Sequence, residues 1–472
     1  MTSLHSFDEV NTIDSFVEII GKKFGDKIAF TYVSETLTKE ITYSEFARNI
    51  AEIVAIFLKN GIVGQRILLI DRNSYGWIVA NFAAIISGNI LIPWNDKELD
   101  TVNAIMEECA VDYIFCRQDI NFFGLDYKDS SIIGCSVPND GFFQIIEVKH
   151  KQNSIDLPKE CAYIFFTSGS TGTPKGVLHS QKNIIQAAYS VSHCINLHES
   201  TLLFLPLNHI YAYCDVLILG LICGTHIYIS DGIGSLSKEC IRYSPGCVFM
   251  VPALLYSMYD LLDHKFHGCV QKVFGKNIRT LFVGGAALNP EYVKKYSQYG
   301  IEILNGYGMT ETCGCVCLMP SRHIIADSVG VPVKKIQVKI EHEVVYLFTP
   351  FLMLGYLENG HIQPVSGHWF KTNDYGLYAD GYLYLGNNRE NILVLPNGKK
   401  VSKSLYAEII SQIPGIQSVD AFIQNDKLTV SVLYNSKKRS SQLIREDIIS
   451  ANRNLPFYKK IQHIEMLEAN SD

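Results

Sequence analysis

The stretch CAYIFFTSGSTGTPKG, Cys161–Gly176, decides the fold. Its first six residues form an apolar run of strand length. The next ten pack three glycines, five hydroxyl side chains, one proline and one lysine together. Glycines let backbone N–H groups come close to an anion, hydroxyls add donors, and Lys175 sets a positive charge at the far end. A strand feeding such a loop predicts phosphate binding by Thr167, Ser168, Gly169, Ser170, Thr171, Gly172 and Lys175. The lysine does not follow a glycine in the GxxxxGK[ST] order, so this is not a Walker loop. A shorter match would read as a bland glycine-serine turn.

Two further apolar runs end in the same way, TLFV before GGAAL at Gly284 and IEIL before NGYGMTE at Asn305. Ligands in open α/β sheets sit beyond the carboxyl ends of strands, so the three loops are predicted walls of one site. Upstream, TYSE from Thr42 has the pattern of a capping box, and the helix it opens is expected to stop at Asn60 and Gly61. RILLI, a helical stretch through Trp77 and Ala84, and NILIP follow. The alternation predicts an α/β fold. Asn289 and Pro290 open another expected helix, closed by Gly300.

Composition shifts after Asp374, and we place the domain boundary at Gly386. The expected architecture is a large multi-layer N-terminal domain of mixed sheets and helices, residues 1–386. A hinge joins it to a small α+β domain, residues 387–472, built from a helix around Leu405–Ile413, the strands VDAFI and LTVSVLY, and a final helix.

With 472 residues, 47% hydrophobic and 19% charged, the chain should fold into more than one domain. A net charge of -6 offers no basic field for nucleic acid. The apolar run Val216–Gly224 is too short to cross a bilayer, and no secretory leader opens the sequence. Thirteen cysteines without a leader point to reduced thiols and a cytoplasmic location. CGCVC, Cys313–Cys317, would put three thiols on one face of an extended segment; small buried hydrophobes are the preferred reading over a zinc site.

TSGSTGTPKG resembles the phosphate loop of the adenylate-forming superfamily of acyl-CoA synthetases, nonribosomal adenylation domains and luciferases. NGYGMTE resembles its adenine and magnesium motif, and FKTNDYG its ribose motif, with Asn373 where glycine is usual. The resemblance runs from ITYSEF at Ile41 to LPFYKK. It implies ATP and Mg2+ as cofactors and conversion of a small carboxylic acid to an acyl-adenylate. The acyl group then passes to a pantetheine thiol, of coenzyme A or of an acyl or peptidyl carrier protein. Tyr307, between glycines, has a face that can stack on adenine, with Asn305 and Gly306 beside it. Thr310 can donate to the α-phosphate, Glu311 offers a hard oxygen to magnesium, and Asp374 can accept from ribose hydroxyls. Gly284, Gly285 and Ala286 resemble the segment passing between adenosine and acyl group.

LPLNHIYAYCDVLILGLICG resembles the LPxxH segment of coumarate and fatty acyl-CoA ligases, which implies an acyl-site or gating role for His209. Tyr211, Tyr213, Cys214 and Cys313 are expected pocket residues for an apolar or aromatic acid. Asp215 comes too late to match the amine-binding aspartate of amino-acid-activating relatives. The small domain departs from the pattern. GNNREN has Asn387 in place of the usual hinge arginine, and Arg389 stands at the hinge position, where it could recover the charge. The PxTxxGK motif with the adenylation lysine is not found before Asp472. Either another cation substitutes, with Lys399, Lys400, Lys459 and Lys460 as candidates, or adenylation is slow, or another polypeptide supplies the group; the rival readings are a loader of acyl groups onto a carrier protein and a degenerate adenylate-binding protein.

Overall fold

The computed structural model describes residues 7–34, 37–96, 101–118, 132–148, 155–168, 174–195, 197, 200–386, 392–394, 400–425, 427–453, 455 and 459–469. The chain clusters into two compact units. The first holds Met1–Leu318, Val333–Ile336 and Phe348–Phe370; the second holds Met319–Pro332, Gln337–Leu347 and Lys371–Asp472. This division falls before the ribose-like motif's Asp374, not at Gly386.

The first unit is built on two large sheets. One runs in the order His361–Pro364, Gly355–Glu358, Pro174–Ser180, Cys161–Ser168, Ile90–Trp94, Arg66–Ile70, Tyr113–Arg117, Gly141–Glu147, Ile132–Val137. Its parallel centre reads RILLI and ILIPW, fully buried and apolar after the first residue of each, because both faces are covered. In the second sheet Gly314–Leu318 pairs with Glu302–Met309, followed by Thr280–Val283, Cys247–Met250, Ser200–Leu203, His226–Ile229, Ile28–Ser34 and Leu37–Thr42.

The helices start where the sequence signals them. Thr42 and Glu45 close a reciprocal capping box on Tyr43–Lys59, and Gly61 with φ 70° ends the run. Helix Tyr75–Ile86, capped by Ser74, is buried on nearly every side, which explains its lack of a polar face. Ser180 caps Gln181–Ser192 by accepting from the Asn183 N–H at 3.1 Å. The expected helix after Asn289 spans Glu291–Ser297, with the Glu291 N–H donating to Asn289 Oδ1. The apolar run near residue 216 is a π-helix, Tyr211–Ile218, that tightens into Leu219–Cys223. No described helix is long and apolar enough to cross a membrane.

In the second unit, Trp369–Ala379 pairs antiparallel with Tyr382–Leu385. A separate core of Tyr406, Ile410, Val430, Val432, Ile444 and Ile448 joins helices Lys403–Ser411 and Ser441–Arg453 to the sheet Ile416–Gln424, Lys427–Tyr434, His463–Glu468. That is the α+β arrangement expected from the sequence of residues 387–472.

Candidate active site

The phosphate-loop strand forms a hairpin in which Thr167 faces Lys175 and Ser168 faces Pro174. Residues 169–173, and with them Gly169, Ser170, Thr171 and Gly172, lie outside the described residues, as does the Ser168 side chain. The second hairpin strand, Pro174–Ser180, pairs on its other edge with Gly355–Glu358, in a register that joins Val177 to Tyr356 and Gly176 to Leu357. One step further along, Lys175 meets Glu358, Nζ to Oε1 at 3.1 Å. Tyr356 lies two residues earlier and so on the same face of its strand. Its ring lies 5.9 Å from the Lys175 ammonium, and its hydroxyl donates to Glu311 Oε1 at 2.8 Å. Burial, together with the neighbouring Glu311 carboxylate, raises the Tyr356 phenol well above its usual range, so the proton stays on the phenol as the donor. One short strand thus braces both charges of the expected phosphate site.

Glu311 and Thr310 stand on a single 3-10 turn, Thr310–Thr312, that ends strand Glu302–Met309. The turn is pinned from three sides. The Met353 N–H donates to the Glu311 carbonyl at 2.9 Å, and the Thr312 hydroxyl contacts the carbonyls of Met309 and Gly314 at 3.1 and 3.0 Å. The third tie is His179, wholly buried at the end of the phosphate-loop hairpin, with Nε2 2.8 Å from the Thr310 carbonyl and Nδ1 3.0 Å from Cys313 Sγ. A carbonyl can only accept, so Nε2 carries the proton and Nδ1 is the acceptor for the Cys313 thiol. Burial pushes the imidazole down to about 4, which keeps it neutral. His179 therefore ties the backbone of the Lys175 strand to the backbone of the Glu311 turn.

The remaining wall is made of glycines. A Cβ at Gly308 would lie 2.1 Å from the Gly314 carbonyl oxygen, so the close approach of the two strands admits no side chain there. Gly284 is buried against the Gly306 carbonyl and the Tyr211 ring, whereas Gly285, with φ 81°, and Ala286 are exposed. Asn305 and Tyr307 keep only 8% and 9% of their surface. Tyr211 is half-buried, donates to the Phe282 carbonyl at 3.3 Å, and meets Phe249 edge-on. His209 is exposed, one residue before that helix's cap.

Three expected pocket residues, Tyr213, Cys214 and Cys313, are buried instead; the Cys214 thiol donates to the Ile184 carbonyl at 3.5 Å. Tyr213 is fully buried and its hydroxyl donates to Asn81 Oδ1, with the Tyr163 hydroxyl 3.0 Å away; it is a core residue. Cys313 is also buried, in a left-handed turn with φ 59°, and its thiol is occupied by His179 and the Phe351 carbonyl at 3.4 Å. That turn also takes Cys313 out of the strand Gly314–Leu318, so the three thiols of CGCVC do not share one extended face. No cluster of metal-ligating side chains exists among the described residues. Asp215 is buried, and both its oxygens accept from the Cys315 N–H at 3.1 and 3.3 Å.

Asp374 belongs to the second unit, half-buried, with its N–H donating to the Thr372 hydroxyl at 3.1 Å. In that unit Lys459 Nζ is paired with Asp380 at 2.8 Å, and Lys460 Nζ donates to the Arg453 carbonyl at 2.9 Å. Asn387, Arg389 and Lys399 lie outside the described residues, as does the side chain of Lys400.

The donor set fits magnesium. Glu311 offers one carboxylate whose Oε1 is already oriented by Tyr356, with the Thr310 side chain next to it. A single oriented carboxylate suits a cation held mainly by phosphate oxygens and water, rather than by an all-protein cage. Sequence reading missed His179, Tyr356 and Glu358. The hairpin was legible: Asn359-Gly360 is a two-residue turn signal, and the structure gives both residues positive φ, 53° and 72°.

A family model described as AMP-binding enzyme matches residues 17–356. The 2-succinylbenzoate--CoA ligase of Haemophilus influenzae is 24% identical over 412 residues, 86% of this chain and 82% of that protein. The long-chain-fatty-acid--CoA ligase FadD15 of Mycobacterium bovis is 21% identical over 463 residues, 82% of this chain and 76% of that one. The crystal structure of the anthranilate CoA ligase AuaEII in complex with anthranoyl-AMP shares the fold, with a TM-score of 0.64 at 18% identity, covering 97% of this chain and 93% of that one.

Proposed function

The chain belongs to the AMP-binding enzyme family, and from that premise we propose that it is an acid:CoA ligase acting through an acyl-adenylate. A carboxylate is a poor electrophile. One of its oxygens attacks the α-phosphorus of ATP, pyrophosphate leaves, and the mixed anhydride with AMP carries a good leaving group. The coenzyme A thiol then attacks the acyl carbonyl, its proton passes to solvent, and AMP departs. No covalent enzyme nucleophile is needed.

The observation that supports this reading is the paired brace, Lys175 with Glu358 and Glu311 with Tyr356, both partners supplied by the strand Gly355–Glu358 that pairs with the second strand of the phosphate-loop hairpin. Lys175 neutralises phosphate charge as anions converge, and the Thr310 hydroxyl donates to the α-phosphate. Glu311 would hold magnesium, which would supply further neutralisation of the phosphates. Asn305, Gly306 and Tyr307 contact adenine, Gly285 and Ala286 the adenosine, and Asp374 the ribose. Arg389 acts at the hinge.

For the acid, Gly284, His209 and half-buried Tyr211 beside stacked Phe249 and Phe282 support an apolar or aromatic carboxylate. CoA is favoured over a carrier protein because the matched relatives carry CoA-ligase names. The test is ATP–pyrophosphate exchange across benzoates, cinnamates and fatty acids, followed by thioester assay with CoA or a carrier protein. Exchange with at least one acid and thioester with CoA are expected. ATP binding without exchange for any acid would instead establish a degenerate adenylate-binding protein.

A further inference from the structure

We propose that Glu358 is the resident anion of the phosphate site, holding Lys175 extended until the nucleotide phosphates displace it. The inference rests on the ATP-binding reading above and adds a residue to it. Glu358 is the last residue of its strand before the Asn359-Gly360 turn, and pairs with His361 across the hairpin. Its carboxylate is held at both oxygens: Oε1 meets Lys175 Nζ at 3.1 Å, and Oε2 accepts from Gln363 Nε2 at 3.2 Å. Gln363 sits on the neighbouring strand His361–Pro364, so a rigid two-residue turn fixes the angle from which the carboxylate reaches across to Lys175.

The consequence is electrostatic. A lysine ammonium on four methylenes has many rotamers, and a fixed cross-strand carboxylate selects among them the one that reaches Glu358. The same carboxylate then competes with phosphate oxygens for that ammonium, and the more negative the phosphates, the more that competition costs them. Metal-free ATP bears more negative charge than its magnesium complex, so Glu358 penalises the free nucleotide more. Glu358 thereby makes the site discriminate for the metal-bound form. The ion pair is only partly exposed, 27% and 18% at the two side chains, so solvent does not erase the effect.

Isothermal titration calorimetry of ATP, with EDTA and separately with magnesium, tests this on the full chain without any acid present. Glu358→Gln keeps size and the Gln363 contact while removing the charge. It is expected to tighten metal-free ATP about two- to five-fold, the range set by releasing a partly exposed ion pair, with a smaller gain for the magnesium complex. Glu358→Asp retains the charge and should stay close to wild type, which separates charge from folding defects. In a Lys175→Met background the gain from Glu358→Gln should vanish. Unchanged or weaker binding in Glu358→Gln overturns the proposal, as does a gain that persists without Lys175. Loss confined to the magnesium complex would make Glu358 a metal ligand and also overturn it. Absence of ATP binding by the wild-type chain would overturn the nucleotide reading itself, a result distinct from all of these.

Discussion

Asp215→Asn should change how stability depends on pH in a way no surface carboxylate could. Asp215 keeps 3% of its surface on the π-helix Tyr211–Ile218, and the Cys315 N–H is the donor that faces it. Burial, only partly offset by that donor, raises the carboxyl from 3.8 to about 8. Between those values the folded protein holds a proton that the unfolded chain has released. Stability is therefore full below pH 3.8 and falls as pH rises toward 8. The slope is roughly 1.4 kcal/mol per pH unit for one proton, so this group costs about 2 kcal/mol between pH 6.5 and 8. Buried His179 has the opposite sign. Its value of about 4 lies below the ordinary 6.5, so its contribution is present above 6.5 and is lost as pH falls to 4. From pH 4 to 6.5 the two slopes cancel, and above 6.5 Asp215 acts alone. An asparagine offers the same acceptor to Cys315 with no proton to lose. Urea unfolding at half-unit steps from pH 5 to 8.5 should show the variant gaining on wild type steadily up to about pH 8, then running parallel. Curves that are parallel over the whole range would refute the assignment of Asp215 as a buried neutral acid.

His179→Gln should remove the histidine's acid-side loss, so the variant gains about 3 kcal/mol on wild type between pH 6.5 and 4, again read from urea midpoints. Tyr356→Phe deletes the donor to Glu311 Oε1. A hydrogen bond to a charged group contributes about 1.5–3 kcal/mol, so half-saturation by magnesium in pyrophosphate exchange should move up by roughly tenfold or more. An unchanged magnesium requirement would show that Glu311 does not depend on Tyr356 for its orientation.

What was legible in the sequence was local. The capping box at Thr42 and Glu45 and the strand feeding Thr167 each need only a few neighbouring residues, and each appears where the pattern put it. The brace was not legible, because Lys175 and Glu358 meet through sheet register and Tyr356 reaches Glu311 across a separate turn. No periodicity in either segment announces the other. Tyr213 and Cys313 failed for a related reason. They share the motif neighbourhood of the proposed site residues, but burial is decided by which element covers them, here Asn81 and Tyr163 for one and His179 and Phe351 for the other.

The same logic explains why His179 matters although no motif names it. The proposed phosphate cation Lys175 and the proposed metal carboxylate Glu311 sit on segments far apart in sequence, and catalysis by charge alignment tolerates little relative displacement of two such groups. A direct contact between Lys175 and Glu311 would fix their spacing but leave both charges spent on each other. The structure instead ties their backbones, through His179 to the Thr310 carbonyl and through Met353 to the Glu311 carbonyl, and gives each charge its own neighbour on the strand Gly355–Glu358. Because Nε2 of a neutral, wholly buried imidazole can only donate to that carbonyl, the tie is independent of pH over the range in which the phosphate ligands themselves are ionised. Rigidity is placed in the main chain, and exchangeable contacts are left to the side chains that must meet the nucleotide.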